Sequence, residues 1–273
     1  MGGMGGGWQN QGQDPEYWVR ADGDGRFRIA GVRPGIYTLF AWSAGVVREL
    51  ALDGVEVRGA AQDLGDVTLT VPRAADSVIV WEVGIPNRDT SEFHHGYGTT
   101  ADWWTPMNFL RFPSEFPNPL RYNAHSCEWA RAINYAQSRY FSDNPTNGSD
   151  WMWLFEFDLA EVTGDAQLTV AFAAQDATLV LYVNQDYEKE PDRPAVEQRS
   201  ALTDDTLVRE GSHGKYQWYN FSISRAKLKV GKNEFAFRAG ASSMGSRVSL
   251  MYDYISLEMP ASDKVRAGHC WDE

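Results

Sequence analysis

Val80 to Phe93, VWEVGIPNRDTSEF, is the stretch whose reading decides the fold. With the preceding Ser77-Val78-Ile79 it opens as an apolar, β-branched run that suits a sheet, and Gly84-Ile85-Pro86-Asn87 stops the run. Gly84, Pro86, Asn87, Arg88, Asp89, Thr90 and Glu92 then crowd between two aromatic anchors, Trp81 and Phe93. A dense polar set at the end of a sheet is where binding loops tend to sit.

Outward from that stretch, short runs with period-two alternation recur on both sides. Before it lie Tyr17-Trp18-Val19, Arg26 to Ile29, Ile36 to Trp42, Gly54 to Val57 and Leu64 to Val71, separated by the turns Asp22 to Gly25 and Gly31 to Gly35. After it, Trp151 to Phe157 places an aromatic at every odd position, giving one fully aromatic face. Leu168 to Phe172, Thr178 to Val183, Tyr216 to Ile223, Glu234 to Arg238 and Val248 to Leu257 read as further strands. Glu128 to Tyr140 is the one short helix expected. The fold class is therefore all-β, two antiparallel β-sandwiches of which the second is a jelly roll. The expected division is a flexible Gly/Gln-rich lead (1–13), a first sandwich incomplete at its N-terminus (14–72), a jelly roll (77–260) and a tail (261–273).

Composition narrows the partners. Thirty-seven Asp and Glu against 25 Lys and Arg give a formal charge of -12, which argues against nucleic acid. The same charge asks an anionic polysaccharide for local basic residues or a bridging cation. No apolar run approaches the ~18 residues that span a bilayer. The start, MGGMGGGWQNQGQ, is not a signal peptide, having neither a basic end nor an apolar stretch. Cys127 and Cys270 permit one disulfide but form no spacing motif.

Several segments carry a family resemblance. Asp24 to Trp42, DGRFRIAGVRPGIYTLFAW, with Asp63-Leu64-Gly65, resembles the fibronectin type III-like or carboxypeptidase-regulatory-like module of the rhamnogalacturonan lyases of polysaccharide lyase family 4. Trp81 to Phe93, His213-Gly214-Lys215-Tyr216, Phe221-Ser222-Ile223 and Tyr252 to Glu258, YDYISLE, resemble that family's carbohydrate-binding-like jelly roll. The resemblance implies an extracellular region that binds pectic polysaccharide. In that family the chemistry is β-elimination on a uronate by a Lys and a His of a large N-terminal sandwich. Nothing in this sequence corresponds to that sandwich, so no catalytic residue carries over. Two rivals stay open: a fragment of an active rhamnogalacturonan endolyase, and a purely structural module that docks a catalytic domain.

Sugar rings offer apolar faces to aromatic planes and hydroxyls to planar polar groups. Trp103-Trp104, in a Pro-rich segment, suit an exposed platform. Arg88, Glu92, Arg121, His213 and Lys215 are the polar candidates, with Arg the bidentate partner for a carboxylate. The alternative for Arg88, Asp89 and Glu92 is that they tie their loop to its neighbours. His94-His95 beside Glu92 could be a metal set, but adjacent strand residues point to opposite faces, so joint ligation would need a loop, and a plain polar loop is the preferred reading. No cofactor is expected. Asp22 to Gly25 resembles the start of a calcium loop but lacks its later oxygen ligands, so calcium has no motif behind it. This chain alone is expected to give no elimination products from rhamnogalacturonan. Unsaturated-uronate absorbance that His213→Ala abolishes would overturn that expectation.

Overall fold

The computed structural model describes residues 17–59, 61–69, 76–96, 115–138, 152–200, 215–240, 249–265, 268 and 270. The lead, Trp103, Trp104, Trp151, His213 and the expected 72–76 boundary, apart from Asp76, lie outside the described residues. The elements in chain order are β1 (Gly35–Ala41), β2 (Leu50–Val57), β3 (Ser77–Gly84), β4 (Leu120–Asn123), α1 (Trp129–Ala132) and β5 (Gln137–Ser138). They continue with β6 (Met152–Leu159), β7 (Ala166–Gln175), β8 (Thr178–Val183), β9 (Val196–Gln198), β10 (Gln217–Ile223), β11 (Gly231–Gly240) and β12 (Ser249–Pro260).

The second unit is a jelly-roll sandwich of two five-stranded sheets. One runs β10-β7-β12-β3, with β5 paired to the start of β12; the other runs β4-β6-β11-β8-β9. Every pairing is antiparallel except β4 with β6. The aromatic alternation on β6 explains why the sheets close. Trp153, Phe155 and Phe157 all point into the core. Trp81 of β3 stacks on Phe155 across the sandwich, with ring centroids 5.7 Å apart and planes 8° from parallel. Phe237 and Phe235 of β11 pack edge-on to Phe155 and Phe157, each at 5.0 Å. The other face of β6 is buried too, where Met152 and Leu154 meet Val180, Tyr182 and Ala236. Burial of such rings outweighs the self-repulsion of an acidic chain, each large side chain contributing about 1.5–3 kcal/mol.

Among the described residues the first unit contributes one antiparallel pair, β1 with β2. The strands expected at Tyr17 to Val19 and Arg26 to Ile29, and at the described part of Leu64 to Val71, are irregular instead. A strand persists only where a neighbour completes its hydrogen-bond ladder, and among the described residues no such neighbour lies beside these segments. The Asp22 turn is closed locally, its Oδ1 accepting from the backbone N–H of Asp24 (3.0 Å) and Arg26 (2.8 Å).

The helix expected over Glu128 to Tyr140 is cut to the four residues of α1. Ile133 is extended, and Gln137–Ser138 joins the first sheet beside β12. Sheet pairing overrides the modest helix preference of that segment. Cys127, just ahead of α1, is bonded to Cys270, with Cα atoms 5.3 Å apart across 143 residues of sequence. The C-terminal segment is further held by Gly268 N–H to the Ile79 carbonyl (2.9 Å) and Cys270 N–H to Glu82 (3.2 Å). Closing so long a loop restricts the unfolded chain, so Cys127→Ser with Cys270→Ser is expected to lose about 2–4 kcal/mol of stability. A lower denaturant midpoint with an unchanged far-ultraviolet spectrum checks this; an unchanged midpoint would contradict it.

Candidate functional site

The loop after β3 turns on Gly84, which takes φ 82°. A Cβ there would collide with the Asp253 carbonyl oxygen and the Phe93 ring, so only glycine lets β3 pass β12 this closely. The Asp253 carboxylate, wholly buried in β12, then gathers the loop. Its Oδ1 accepts from three successive backbone N–H groups, Asn87 (3.1 Å), Arg88 (2.7 Å) and Asp89 (3.3 Å). Consecutive N–H groups converging on one acceptor form an anion nest. Arg88 pays for this geometry with φ 71°, uncommon for a residue with a side chain.

That strain aims the Arg88 guanidinium at the first unit. It donates to Glu49 at 2.9 Å, and the two side chains keep only 9% and 7% of their exposure. Its carbon lies 4.3 Å from the ring centroid of Tyr216 and 5.0 Å from that of Trp42. The Tyr216 hydroxyl donates to the Val47 carbonyl (3.0 Å), Arg48 lies over Trp218 (4.6 Å), and Gly45 N–H reaches the Pro86 carbonyl (3.0 Å). Val47 packs on the outward cluster of Ala171, Tyr216, Trp218 and Tyr254. The polar loop is thus the seat on which the connection between β1 and β2 docks, through an ion pair and cation–π contacts in a desolvated setting.

The sequence-derived residues separate accordingly. Arg88 and the Lys215-Tyr216 segment are brought together at this junction. Glu92 turns inward, both carboxylate oxygens enclosed. Burial pushes its carboxyl up to about 7, with Asp89's charge adding. Arg121 stands elsewhere, on the outer face of the second sheet and 57% exposed, where it pairs with Glu156 and, at 3.1 Å, Glu234. Trp103, Trp104 and His213 lie outside the described residues. Residues the sequence reading missed are Glu49, Trp42 and Asp253. Trp42 and Asp253 lie in segments that carry the family resemblance, DGRF…YTLFAW and YDYISLE; Glu49 had no signal, since a buried Arg–Glu pair between units leaves no local pattern.

Burial pushes the Asp253 carboxyl up to about 8 although the three N–H donors oppose it, and the Glu92 charge adds to the rise. A carboxyl raised in the folded state holds a proton that the unfolded chain releases. Its contribution is therefore complete below the ordinary carboxylate range and is lost as pH climbs to about 8. Thermal stability is expected to fall between pH 5 and pH 8 through this group, and Asp253→Asn to flatten the fall. Parallel melting curves of both proteins across that range check it; an equal slope in the variant would refute it.

Two family models match the chain: "Polysaccharide lyase family 4, domain II" over residues 1–64 and the CBM-like "Polysaccharide lyase family 4, domain III" over residues 79–257. The "Probable rhamnogalacturonate lyase C" of Emericella nidulans is 22% identical over 92% of this chain and 26% of its own length. The "Probable rhamnogalacturonate lyase B" of Aspergillus flavus is 27% identical over 58% of this chain and 26% of its own length. The chain thus spans about a quarter of the curated relatives it matches. Among solved structures, a family 35 carbohydrate-binding module in complex with a glucuronic acid-containing disaccharide matches 46% of this chain and 77% of that one, with 18% identity and a TM-score of 0.28. A family 35 module from an environmental isolate matches 41% and 72%, at 14% identity and a TM-score of 0.27. With the domain III match alone covering more than half of its residues, this chain belongs to polysaccharide lyase family 4.

Proposed function

We propose that this chain is a carbohydrate-binding accessory region of a rhamnogalacturonan lyase, and that its ligand is pectic polysaccharide. The observation that carries the reading is the match of residues 79–257 to the CBM-like domain III, on a jelly roll with a continuous buried core. The names of the curated relatives supply the substrate class. The Cys127–Cys270 disulfide suits an oxidising, extracellular setting. Among the described residues no helix is long and apolar enough to cross a membrane.

On this reading Trp103 and Trp104 supply the stacking platform, with Lys215, His213 and Arg121 as polar partners. Arg88 joins the two units through Glu49, and Glu92 stays turned inward. The purely structural reading has one observation in its favour: Arg88 is engaged with Glu49 between the units while Glu92 is turned inward.

One stacked ring contributes on the order of 1–2 kcal/mol, so Trp104→Ala is expected to weaken rhamnogalacturonan oligosaccharide binding about 5–30-fold. Its melting temperature should stay unchanged. Arg88→Ala, by contrast, should lower stability because it removes the buried ion pair with Glu49 in the junction. Calorimetric titration of both variants separates the roles. No heat and no chemical-shift change at millimolar ligand with the unaltered chain would remove the binding reading and leave the structural one.

A further inference from the structure

Beyond the junction, the loop from Thr90 to Gly96 brings together metal-ligating side chains that the glycan reading does not use. It is wound tightly, Phe93 N–H reaching the Thr90 carbonyl (3.1 Å) and Gly96 N–H the Phe93 carbonyl (2.8 Å). Any Cβ at Gly96 would collide with the Thr90 carbonyl oxygen. Phe93 anchors the loop below by packing on Trp129 (5.1 Å). His94 is fixed on both sides by backbone bonds, its N–H to Ile133 (3.0 Å) and its carbonyl from Tyr135 N–H (2.9 Å).

His95 takes φ 62°. This removes the objection that neighbouring residues must face opposite ways, which holds only for extended backbone. Both imidazoles end on one side, ring centroids 4.0 Å apart. Each Nε2 lies beside the same oxygen, Glu115 Oε2, at 2.7 Å from His94 and 2.9 Å from His95. The third group is thus Glu115, while Glu92 is turned inward. Phe116 closes one flank, edge-on to His94 at 5.3 Å. The side chains remain 29%, 16% and 37% exposed, so an ion can enter from solvent.

We propose that His94, His95 and Glu115 form a binding site for a divalent first-row transition ion of the zinc class. The three ligand atoms all lie within 4.8 Å of one another, a closeness that no other trio of His, Cys, Asp or Glu reaches among the described residues. Zinc bonds of about 2.0–2.1 Å to nitrogen and oxygen set tetrahedral ligand–ligand edges of about 3.3 Å. Both His–Glu distances are already inside that edge and the third lies within 4.8 Å, so side-chain rotations would open the trio around an ion. Each imidazole would carry its proton on Nδ1 and turn its Nε2 lone pair to the metal, and Glu115 would give one oxygen. Two imidazoles and one carboxylate suit zinc, cobalt or nickel; calcium and magnesium demand oxygen shells that this site does not offer. Three protein ligands leave a fourth position for water or an oxygen from outside the chain.

The test is zinc titration of the chelator-stripped chain against a chromophoric competitor, with cobalt(II) as a spectroscopic substitute. One equivalent is expected to bind, calcium is expected not to compete, and cobalt is expected to show the intense visible bands of a four-coordinate site. His95→Asn keeps a residue that tolerates positive φ, and Glu115→Gln changes an exposed group. Each should bind zinc at least ~10-fold more weakly while the metal-free melting temperature stays the same. No saturable zinc binding in the micromolar range would overturn the proposal. Binding that both variants retain would overturn it equally, since the ion would then sit elsewhere.

Discussion

The contact on which the arrangement depends is the Asp253 carboxylate receiving three consecutive backbone N–H groups of the Asn87–Asp89 loop. A side chain from the last strand thereby dictates the path of the loop that leaves the first strand of the same sheet. The loop in turn holds Arg88 in a left-handed conformation and points it out of the jelly roll. Remove that acceptor and the Asn87 and Arg88 N–H groups lose their partner, while Asp89 N–H keeps Asn87 Oδ1 (2.8 Å); a donor orphaned where it is buried costs about 1–3 kcal/mol. The docking of the loop between β1 and β2 is thus set by a residue buried inside the second unit.

A second acid works in the same way one strand over. Glu82, buried in β3, accepts from the Tyr254 hydroxyl (2.7 Å) through one oxygen and from Cys270 N–H (3.2 Å) through the other. It therefore ties β12 and the C-terminal segment to β3, and the disulfide fastens that segment covalently to the region before α1. Buried carboxylates are costly unless fully bonded, and here they stand where the chain must be led across strands. The aromatic core supplies the driving force; the acids decide which way the loops and the tail run.

Much of this was legible in the sequence, because period-two alternation reports directly which face of a strand is buried. Trp153, Phe155 and Phe157 could be placed in the core from spacing alone, and β8, β10, β11 and β12 lie close to the runs that predict them. What the spacing could not show is what depends on distant partners. Arg88 reads equally as a sugar contact or a tie until Glu49, 39 residues earlier, is found beside it. Adjacent histidines read as divergent until one of them is seen to take positive φ. The strands expected before Gly35 failed for the opposite reason: their local pattern is sound, but no neighbour is present among the described residues to pair with them.

The charge balance constrains any reading as a pectin binder. The chain carries -12 overall, and two of the arginines best suited to a uronate already face acids: Arg88 meets Glu49 in the junction, and Arg121 lies between Glu156 and Glu234. A carboxylate approaching Arg121 must therefore compete with two glutamates for one guanidinium. On the proposed reading most of the affinity comes from stacking on aromatic planes and from hydrogen bonds to hydroxyls, neither of which needs a positive surface. Such binding should change little with salt, since added ions screen only the attraction and repulsion between charges. It should also favour the neutral rhamnose and side-chain sugars over bare galacturonate. A pectic backbone in which charged and neutral sugars alternate presents both, and an acidic jelly roll would meet it through the neutral face.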